Sequence, residues 1–517
     1  MQTNSKDIWE KDLELFREKT TDFYNGKMNK ADYKHFSGIY GSYAQRDGNT
    51  NMLRLRLTGG RITREKMKFI CQCIETYHLN LIHLTTCQTI QFHNLTPLAV
   101  SEIMEKALGC GIVTMGGGGD YPRNIMVSPL SGVEPKEAFD VLPYALTAEQ
   151  YVLSFIQETK MPRKLKIGFS NGVSNDTHVT FRDLGFLACP DGTFDVYSAG
   201  GLGKNPRLGL KVADHISPSD ILYHIRAMRD LFIAHGNYEN RAKARTRYMQ
   251  ETLGEEGYIK AYRETLSHVY SSGRDLHLSP APLEVRKTGS LIPAAGERIL
   301  HQKQPGLYAV SYHPIGGCPS PENFVKLCAL IEKIEAAELR LTPDEGMYII
   351  NLTGDEALNV AKATEDSAKS ALQSSVACIG ASICQIGLRD SQKLLREIIK
   401  ALRAAKAPEH LLPQIHISGC PSSCGTHQIG VLGFHGCVKV LDKHPISAFN
   451  LHAAGCEKVK METFGTPIGM IAQERIPAFM IELAQRLSAL GLDLSGKESL
   501  NHEETRLICD TAEAYLL

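Results

Sequence analysis

Neither sign of charge prevails in this chain: Lys+Arg and Asp+Glu both number 57. That balance removes the electrostatic case for binding a nucleic acid or a membrane surface through the chain as a whole. It still permits a local basic pocket. No run of about 18 apolar residues is present that could span a bilayer. The opening stretch is charged and polar, without the apolar segment of a secretion signal. No low-complexity tract interrupts the sequence. Two glycine runs, Gly116–Gly119 and Gly200-Gly201-Leu202-Gly203, look like phosphate loops. Neither fits Gly-x-Gly-x-x-Gly, since position 206 is Pro, nor a P-loop with its Lys-Ser/Thr. The chain thus shows no motif for NAD, FAD or ATP, and any electrons it uses are expected from another protein. Its 517 residues exceed one compact core and predict two to four domains. A hydrophobic content of 43 % is ordinary for a soluble protein. Fourteen cysteines in a chain this long do not suggest a disulfide scaffold, and a reducing cytoplasm is expected.

Among those cysteines, two pairs near the C-terminus carry the most information. Cys378 and Cys384 are separated by Ile-Gly-Ala-Ser-Ile, and Cys420 and Cys424 by Pro-Ser-Ser. Four thiolates suit an iron–sulfur cubane or a structural zinc. Glycine and proline beside them let the backbone approach a compact inorganic group. The spacing is neither the Cys-x2-Cys of zinc ribbons nor the cysteine run of bacterial ferredoxins.

The chain also repeats itself. Thr58-Gly59-Gly60 matches Ile315-Gly316-Gly317, Leu84-Thr85 matches Leu341-Thr342, and Asn94-Leu95-Thr96 matches Asn351-Leu352-Thr353, all at an offset of 257 residues. Cys71 and Cys328, and Glu75 and Glu332, obey the same offset. Both copies read as a strand (Leu53–Leu57; Tyr308–Tyr312), a glycine turn and an amphipathic helix (Arg64–Tyr77; Pro321–Glu335), then an extended pair and a second helix. The pattern predicts an α+β fold with a duplicated half, each copy holding a ferredoxin-like unit followed by a larger α/β domain. The expected divisions are 1–125, 126–285, 297–370 and 371–517, with the Pro/Ser/Gly-rich run Ser279–Gly296 as linker. A helix is expected over Leu394–Ala405 and a short strand over Val431–Phe434.

Cations recur at strand spacing. In Leu53-Arg54-Leu55-Arg56-Leu57 both arginines share one face. Arg163-Lys164-Leu165-Lys166-Ile167 repeats the device, and Arg241-Ala-Lys243-Ala-Arg245-Thr-Arg247 places four cations in seven residues. Arg123 follows the glycine run Gly116–Gly119. One such strand alone reads as a solvated sheet face; several together suggest a cationic cavity for a polyanion. The aromatic interleaving expected of single-strand nucleic-acid binders is missing.

Taken with Gln88-Thr-Ile-Gln91-Phe-His93 and both cysteine pairs, these motifs resemble the sulfite/nitrite reductase family from about Gly38 to the last helices. The resemblance implies a siroheme coupled to a 4Fe-4S cluster. Cys378, Cys384, Cys420 and Cys424 match the cluster ligands, and Cys424 the thiolate shared with the siroheme iron. Arg54, Arg123, Lys164 and Lys166 match the cations around the substrate anion, the arginines as clamps and the lysines also as proton donors. Arg56, Gln88, Gln91, His93, Asn124, Arg241, Lys243, Arg245 and Arg247 match positions that line or support the macrocycle. Siroheme carries eight carboxylates, so a buried site needs many paired cations. The implied reaction is the six-electron reduction of sulfite to sulfide, or of nitrite to ammonia, with electrons from a ferredoxin or a separate flavoprotein. Lys166 favours sulfite, because plant-type nitrite reductases usually have Asn there. The family usually has Arg where this chain has Cys87, and a neighbouring cation is expected to take over its hold on the tetrapyrrole. Two rival readings remain at this level. One is a zinc-bearing protein that binds a polyanion without chemistry, and the other is a relative that keeps the cluster without siroheme.

Overall fold

The computed structural model describes residues 5–158, 160–290, 293–441 and 443–517. Its described strands form four sheets. The first unit holds β1 (Ser42–Ala44), β2 (Asn51–Leu55), β3 (Arg61–Ile62), β4 (Ile82–Leu84) and β5 (Ile90–Leu95), with the sheet order β1-β2-β5-β4. Next come β6 (Met126–Val127), β7 (Ile167–Ser170), β8 (Leu184–Ala188), β9 (Phe194–Ser198) and β10 (Leu210–Ile216), which form a second sheet in sequential order. The second unit contributes β11 (Ile299–His301), β12 (Tyr308–Tyr312), β13 (Glu338–Leu341) and β14 (Met347–Leu352), ordered β11-β12-β14-β13. β3 leaves its own unit and adds to this sheet beside β13. The fourth sheet runs β15 (Val376–Ala377), β16 (Ile415–Ser418), β17 (Leu432–Leu441), β18 (His444–Ala453), β19 (Thr466–Ala472).

The residues that repeat in the sequence are those that shape the turns. Gly59 and Gly316, and Gly60 and Gly317, all lie in the left-handed region, which glycine enters without a steric cost. A side chain at Gly60 would meet Leu341 O at 2.7 Å, and one at Gly317 would meet Leu84 O at 3.1 Å. Each turn therefore packs on the other copy's strand. Asn94 and Asn351 are also left-handed, and Thr96 and Thr353 cap the helices Pro97–Gly109 and Gly354–Ala363.

The two units share one apolar core, to which Leu53, Leu55, Ile90, Phe92, Val310, Leu339 and Ile349 all belong. Cys71 and Cys328 meet as core thiols where the helices Arg64–Thr76 and Pro321–Ile331 pack together. Two further cores fill the domains around β6–β10 and β15–β19.

The expected elements need small corrections. β2 ends at Leu55, because the chain turns at Thr58–Gly60. The lysine-bearing segment joins the second sheet only at Ile167, with Leu165 bridged to Pro122, although Leu165 and Ile167 are buried as the alternation requires. β17 extends well past Phe434, in a long hairpin with β18. The linker is free of regular structure over 273–290, while Leu291 and Ile292 lie outside the described residues.

Candidate active site

The four thiols come from two loops of the fourth sheet. Cys378 directly follows β15 and Cys384 lies one turn on, its N–H donating to Gly380 O at 2.9 Å. Cys420 and Cys424 lie in the loop that leaves β16. Gly425 N donates to Ser418 Oγ at 3.1 Å, closing that loop on its strand. A side chain at Gly425 would come within 2.2 Å of Ile417 O, so only glycine lets the turn sit this low. Cys378 Sγ lies 3.2 Å from both Ser391 Oγ and Gly419 N. Burial pushes the Cys378 thiol up to about 12, and Cys424 adds to the rise. Cys424 is raised by burial and by Cys420 and Cys384, against the pull of Lys164. Cys424 thus feels the other three thiols, which together make a donor set of the kind a cluster requires.

Cys424 also faces a cavity. Its side chain is exposed by surface area although protein surrounds it, and Arg123, Lys164 and Lys166 are each half-exposed in the same way, with Arg54 half-exposed beside them. Both descriptions hold together when the side chains line an internal space. The first unit closes on this space through the segment Thr85–Gln88, where Thr86 Oγ1 donates to Cys424 O at 2.8 Å. Arg46 braces the other cysteine loop, donating to the carbonyls of Cys384 and Gly387 at 3.2 and 2.8 Å.

Lys164 Nζ has no hydrogen-bond or ion-pair partner among the described residues. Burial lowers its pKa well below the usual ammonium range, and Lys166, Arg245 and Arg123 lower it further, while Cys424 opposes. Lys166 Nζ lies 3.3 Å from Cys87 Sγ. Burial lowers the Lys166 pKa and the Cys87 thiol holds it up. Burial would raise Cys87 in turn, but Lys166, Arg182 and Arg54 outweigh it and bring the thiol down to about 6. The surrounding cations thus favour the thiolate form of Cys87.

Arg54 donates to Gly117 O and, with the Gln91 amide turned to satisfy both neighbours, through Nε to Gln91 at 3.2 Å. Gln91 then donates to His93 Nε2 at 3.3 Å. Arg123 folds back onto the glycine run, donating to Gly116 O and Gly119 O at 2.8 Å and to Gly118 O. Burial, aided by Arg54 and Arg56, brings its guanidinium down to about 9. Arg123 thus commits part of its fork to the loop and offers the remainder to the cavity.

Several residues matched to positions that line or support the macrocycle are bonded within the protein. Arg56 spends every donor inside the protein. Nε and Nη2 bond Glu149 at 3.0 and 2.6 Å, and the rest reach Met115 O, Pro122 O and Arg123 O. Gln88 ties Val127 O and Leu341 O, both at 2.8 Å. His93 bonds Gln45 at 3.1 Å, and burial keeps it neutral. Arg241 and Lys243 point to the surface, paired with Asp120 at 2.7 Å and Glu251 at 3.2 Å. These five position or decorate the site; none presents a free inward donor.

The inward cations are Arg245, Arg247 and Arg182. Arg245 pairs with buried Asp183 at 3.0 Å, and Asp183 also accepts from Lys166 N at 2.7 Å. Arg182 was not singled out from sequence. It donates to Thr177 O at 2.9 Å and faces Cys87. Buried nitrogens of all three are left without a partner: Arg182 Nη2, Arg245 Nε and Arg247 Nη1. So is Asn124 Oδ1, whose amide nitrogen holds Leu57 O and Cys87 O. Orphaned buried guanidinium donors are costly unless an anion meets them. Donors of this kind suit a polycarboxylate, and Arg182 is a cation directly beside Cys87.

Comparison with known proteins bears on the family and the fold. Residues 43–109 and again 301–367 match the family described as the nitrite/sulfite reductase ferredoxin-like half domain. Residues 118–270 match the nitrite and sulphite reductase 4Fe-4S domain. That last match falls on the copy without the four cysteines. Sulfite reductase [ferredoxin] 1 of Mycolicibacterium paratuberculosis is 25 % identical over 83 % of this chain and 80 % of its own length. The chloroplastic ferredoxin–nitrite reductase of Zea mays is 26 % identical over 78 % of this chain and 73 % of its own. The solved structure of the Mycobacterium tuberculosis NirA protein superposes with a TM-score of 0.76, at 23 % identity, covering 92 % of this chain and 91 % of that one, which establishes the shared fold.

Proposed function

Because the chain belongs to the nitrite/sulfite reductase family, an oxidoreductase family whose cofactors are siroheme and a 4Fe-4S cluster, we propose that it reduces sulfite to sulfide with electrons from a ferredoxin. The observation that carries this reading is Lys164: an unpartnered buried amine, electrostatically coupled to Cys424, with Lys166 and three orphaned guanidinium donors around the same cavity.

Cys378, Cys384, Cys420 and Cys424 would hold the cluster, with Cys424 shared with the siroheme iron. Arg182, Arg245 and Arg247 would hold siroheme carboxylates, with Asn124 beside them. When bound, the two groups supply the electrons and the iron at which the anion is reduced. The chain's own residues supply the rest. Arg54 and the free donors of Arg123 hold the anion's oxygens and oppose the charge that grows on them. Reduction of hydrogen sulfite to hydrosulfide takes six electrons and six protons and releases three waters. The depressed pKa values of Lys164 and Lys166 make both amines able to give a proton and regain it from solvent.

Among the described residues no helix is long and apolar enough to cross a membrane. The fourteen cysteines are free thiols, which fits action in a reducing cytoplasm. For the electron donor, the first cysteine loop exposes Ile386 and Leu388, and Arg389 bonds Cys437 O at 3.0 Å beside exposed Val438. This apolar surface around Arg389 lies on the first cysteine loop and suits an acidic ferredoxin.

Nitrite is the second reading, favoured by the nitrite reductases that match this chain as well as the sulfite reductases do. Steady-state kcat/KM for both anions with a reduced ferredoxin separates them. Sulfite should be preferred, with Lys166→Asn shifting the ratio toward nitrite; strong nitrite preference in the unaltered enzyme rejects the sulfite reading.

A further inference from the structure

Beyond the anion cavity, three imidazoles converge behind the second cysteine loop. His427 lies on that loop, three residues after Cys424, while His435 belongs to β17 and His452 to β18. Their ring centroids form a nearly equilateral triangle with sides of 4.7, 5.0 and 5.1 Å. One ring nitrogen from each lies within 4.8 Å of the other two. We propose that His427, His435 and His452 form a second metal site, separate from the four thiols, that takes a divalent ion of the zinc class.

The outer nitrogens are already anchored as ligand histidines require. His452 Nδ1 faces Gly465 O at 3.3 Å, and His427 Nδ1 faces Ser418 Oγ at 3.0 Å. With those contacts made, Nε2 of both rings is left for the centre of the triangle. His435 Nδ1 lies 2.9 Å from His452 Nε2, a short contact in which a proton is shared between two inward lone pairs. A metal ion takes that proton's place, and His435 carries its hydrogen on Nε2 instead, so binding needs only a change of tautomer and no proton loss. Burial lowers the pKa of all three rings, with repulsion from neighbouring imidazoles adding to it at His427 and His435, which favours the neutral form that ligates.

Imidazole donors with no thiolate select zinc over softer ions, and three histidines leave a fourth position for water. His435 is half-buried, which gives that position a way to solvent. The role is structural. Ser418 Oγ also closes Gly425, so an ion on His427 braces the turn bearing Cys424 against the β17–β18 hairpin. This inference stands apart from the substrate reading, since it uses neither the cations nor the anion.

The test uses iron-loaded enzyme stripped of loose metal with a chelator, then given one equivalent of zinc and desalted. Elemental analysis should find one zinc per chain without loss of iron. Zinc-edge X-ray absorption should show a nitrogen/oxygen shell at about 2.0–2.1 Å with no sulfur. The pair His435→Ala and His452→Ala together remove two of the three ligands and should abolish stoichiometric zinc binding with iron content unchanged. A sulfur shell at about 2.3 Å would place the ion on the cysteines and overturn the proposal. So would the absence of bound zinc, or undiminished affinity in the double variant. The scattering shell of the unaltered protein decides the matter even if the variants fold poorly.

Discussion

The sheets β6–β10 and β15–β19 are built alike and do opposite work. Each makes two parallel pairings and then two antiparallel ones. Even the register repeats, with Val127 opposite Phe169 in one and Ala377 opposite Ile417 in the other. The residue after the first strand donates to the second strand in both: Ser128 N to Phe169 O at 3.0 Å, Cys378 N to Ile417 O at 3.1 Å. Six positions beyond Ser170 stands Asp176, and six beyond Ser418 stands Cys424. His178 and Thr426, two residues further on, are both left-handed. Ser128 and Asp176 therefore occupy the places of Cys378 and Cys424, and they too meet, at 3.4 Å. Burial, with Glu457 nearby, pushes Asp176 up to about 7. The scaffold brings two loop ends together in either copy, and the side chains on them differ in chemistry. The first copy instead turns cations into the shared cavity, from Lys164, Lys166 and Arg182.

The largest effect that could break this comparison comes from Cys424→Ser, which should abolish activity and strip cluster iron, while Asp176→Asn should leave iron content unchanged. Elemental iron analysis of both checks the pair. Lys164→Met should retain both cofactors yet lower kcat by about 10²–10³-fold, read in steady-state assays beside the absorption spectrum. Arg182→Met should weaken siroheme retention about 10–100-fold, measured as tetrapyrrole per chain after gel filtration. By contrast, Arg241→Ala, an exposed ion-pair partner, should change neither loading nor stability by more than about 1 kcal/mol. The smallest effect concerns pH. The Cys87 thiolate holds the Lys166 pKa up, so Cys87→Ala lowers it. Lys166 then loses its proton at lower pH, and the alkaline limb of the kcat/KM profile should move to lower pH. A limb that stays or moves upward would remove Lys166 from the proton supply.

Much of this was legible because it resides in residues with few alternative uses. The duplication was visible in Gly59, Gly60, Asn94 and Thr96, whose backbone angles and caps tolerate little else. The cysteine pairs and the alternation through Arg54, Lys164 and Lys166 announced thiols and cations on one face. Direction within a turn was harder to read. The segment Arg241–Arg247 looks like one cationic set, yet two consecutive 3₁₀ turns send Arg241 and Lys243 outward and Arg245 and Arg247 inward. Arg56 and Gln88 do sit on the inner face, but partners distant in sequence, the Glu149 carboxylate and several backbone carbonyls, consume their donors. Arg182 is a lone cation in Thr-Phe-Arg-Asp, and only the loop at Thr177 aims it at Cys87. The duplication predicted a larger α/β domain after each unit, but not which residues of the two correspond, because their matching loop residues differ in chemistry while their pairing does not.

The central claim is that one cavity, walled by thiols from one copy and cations from the other, holds siroheme joined to a 4Fe-4S cluster. The visible absorption spectrum of the purified protein tests it most directly. A strong Soret band and a red band above a broad brown absorption are the predicted result. A brown shoulder alone, or a colourless protein, would contradict it.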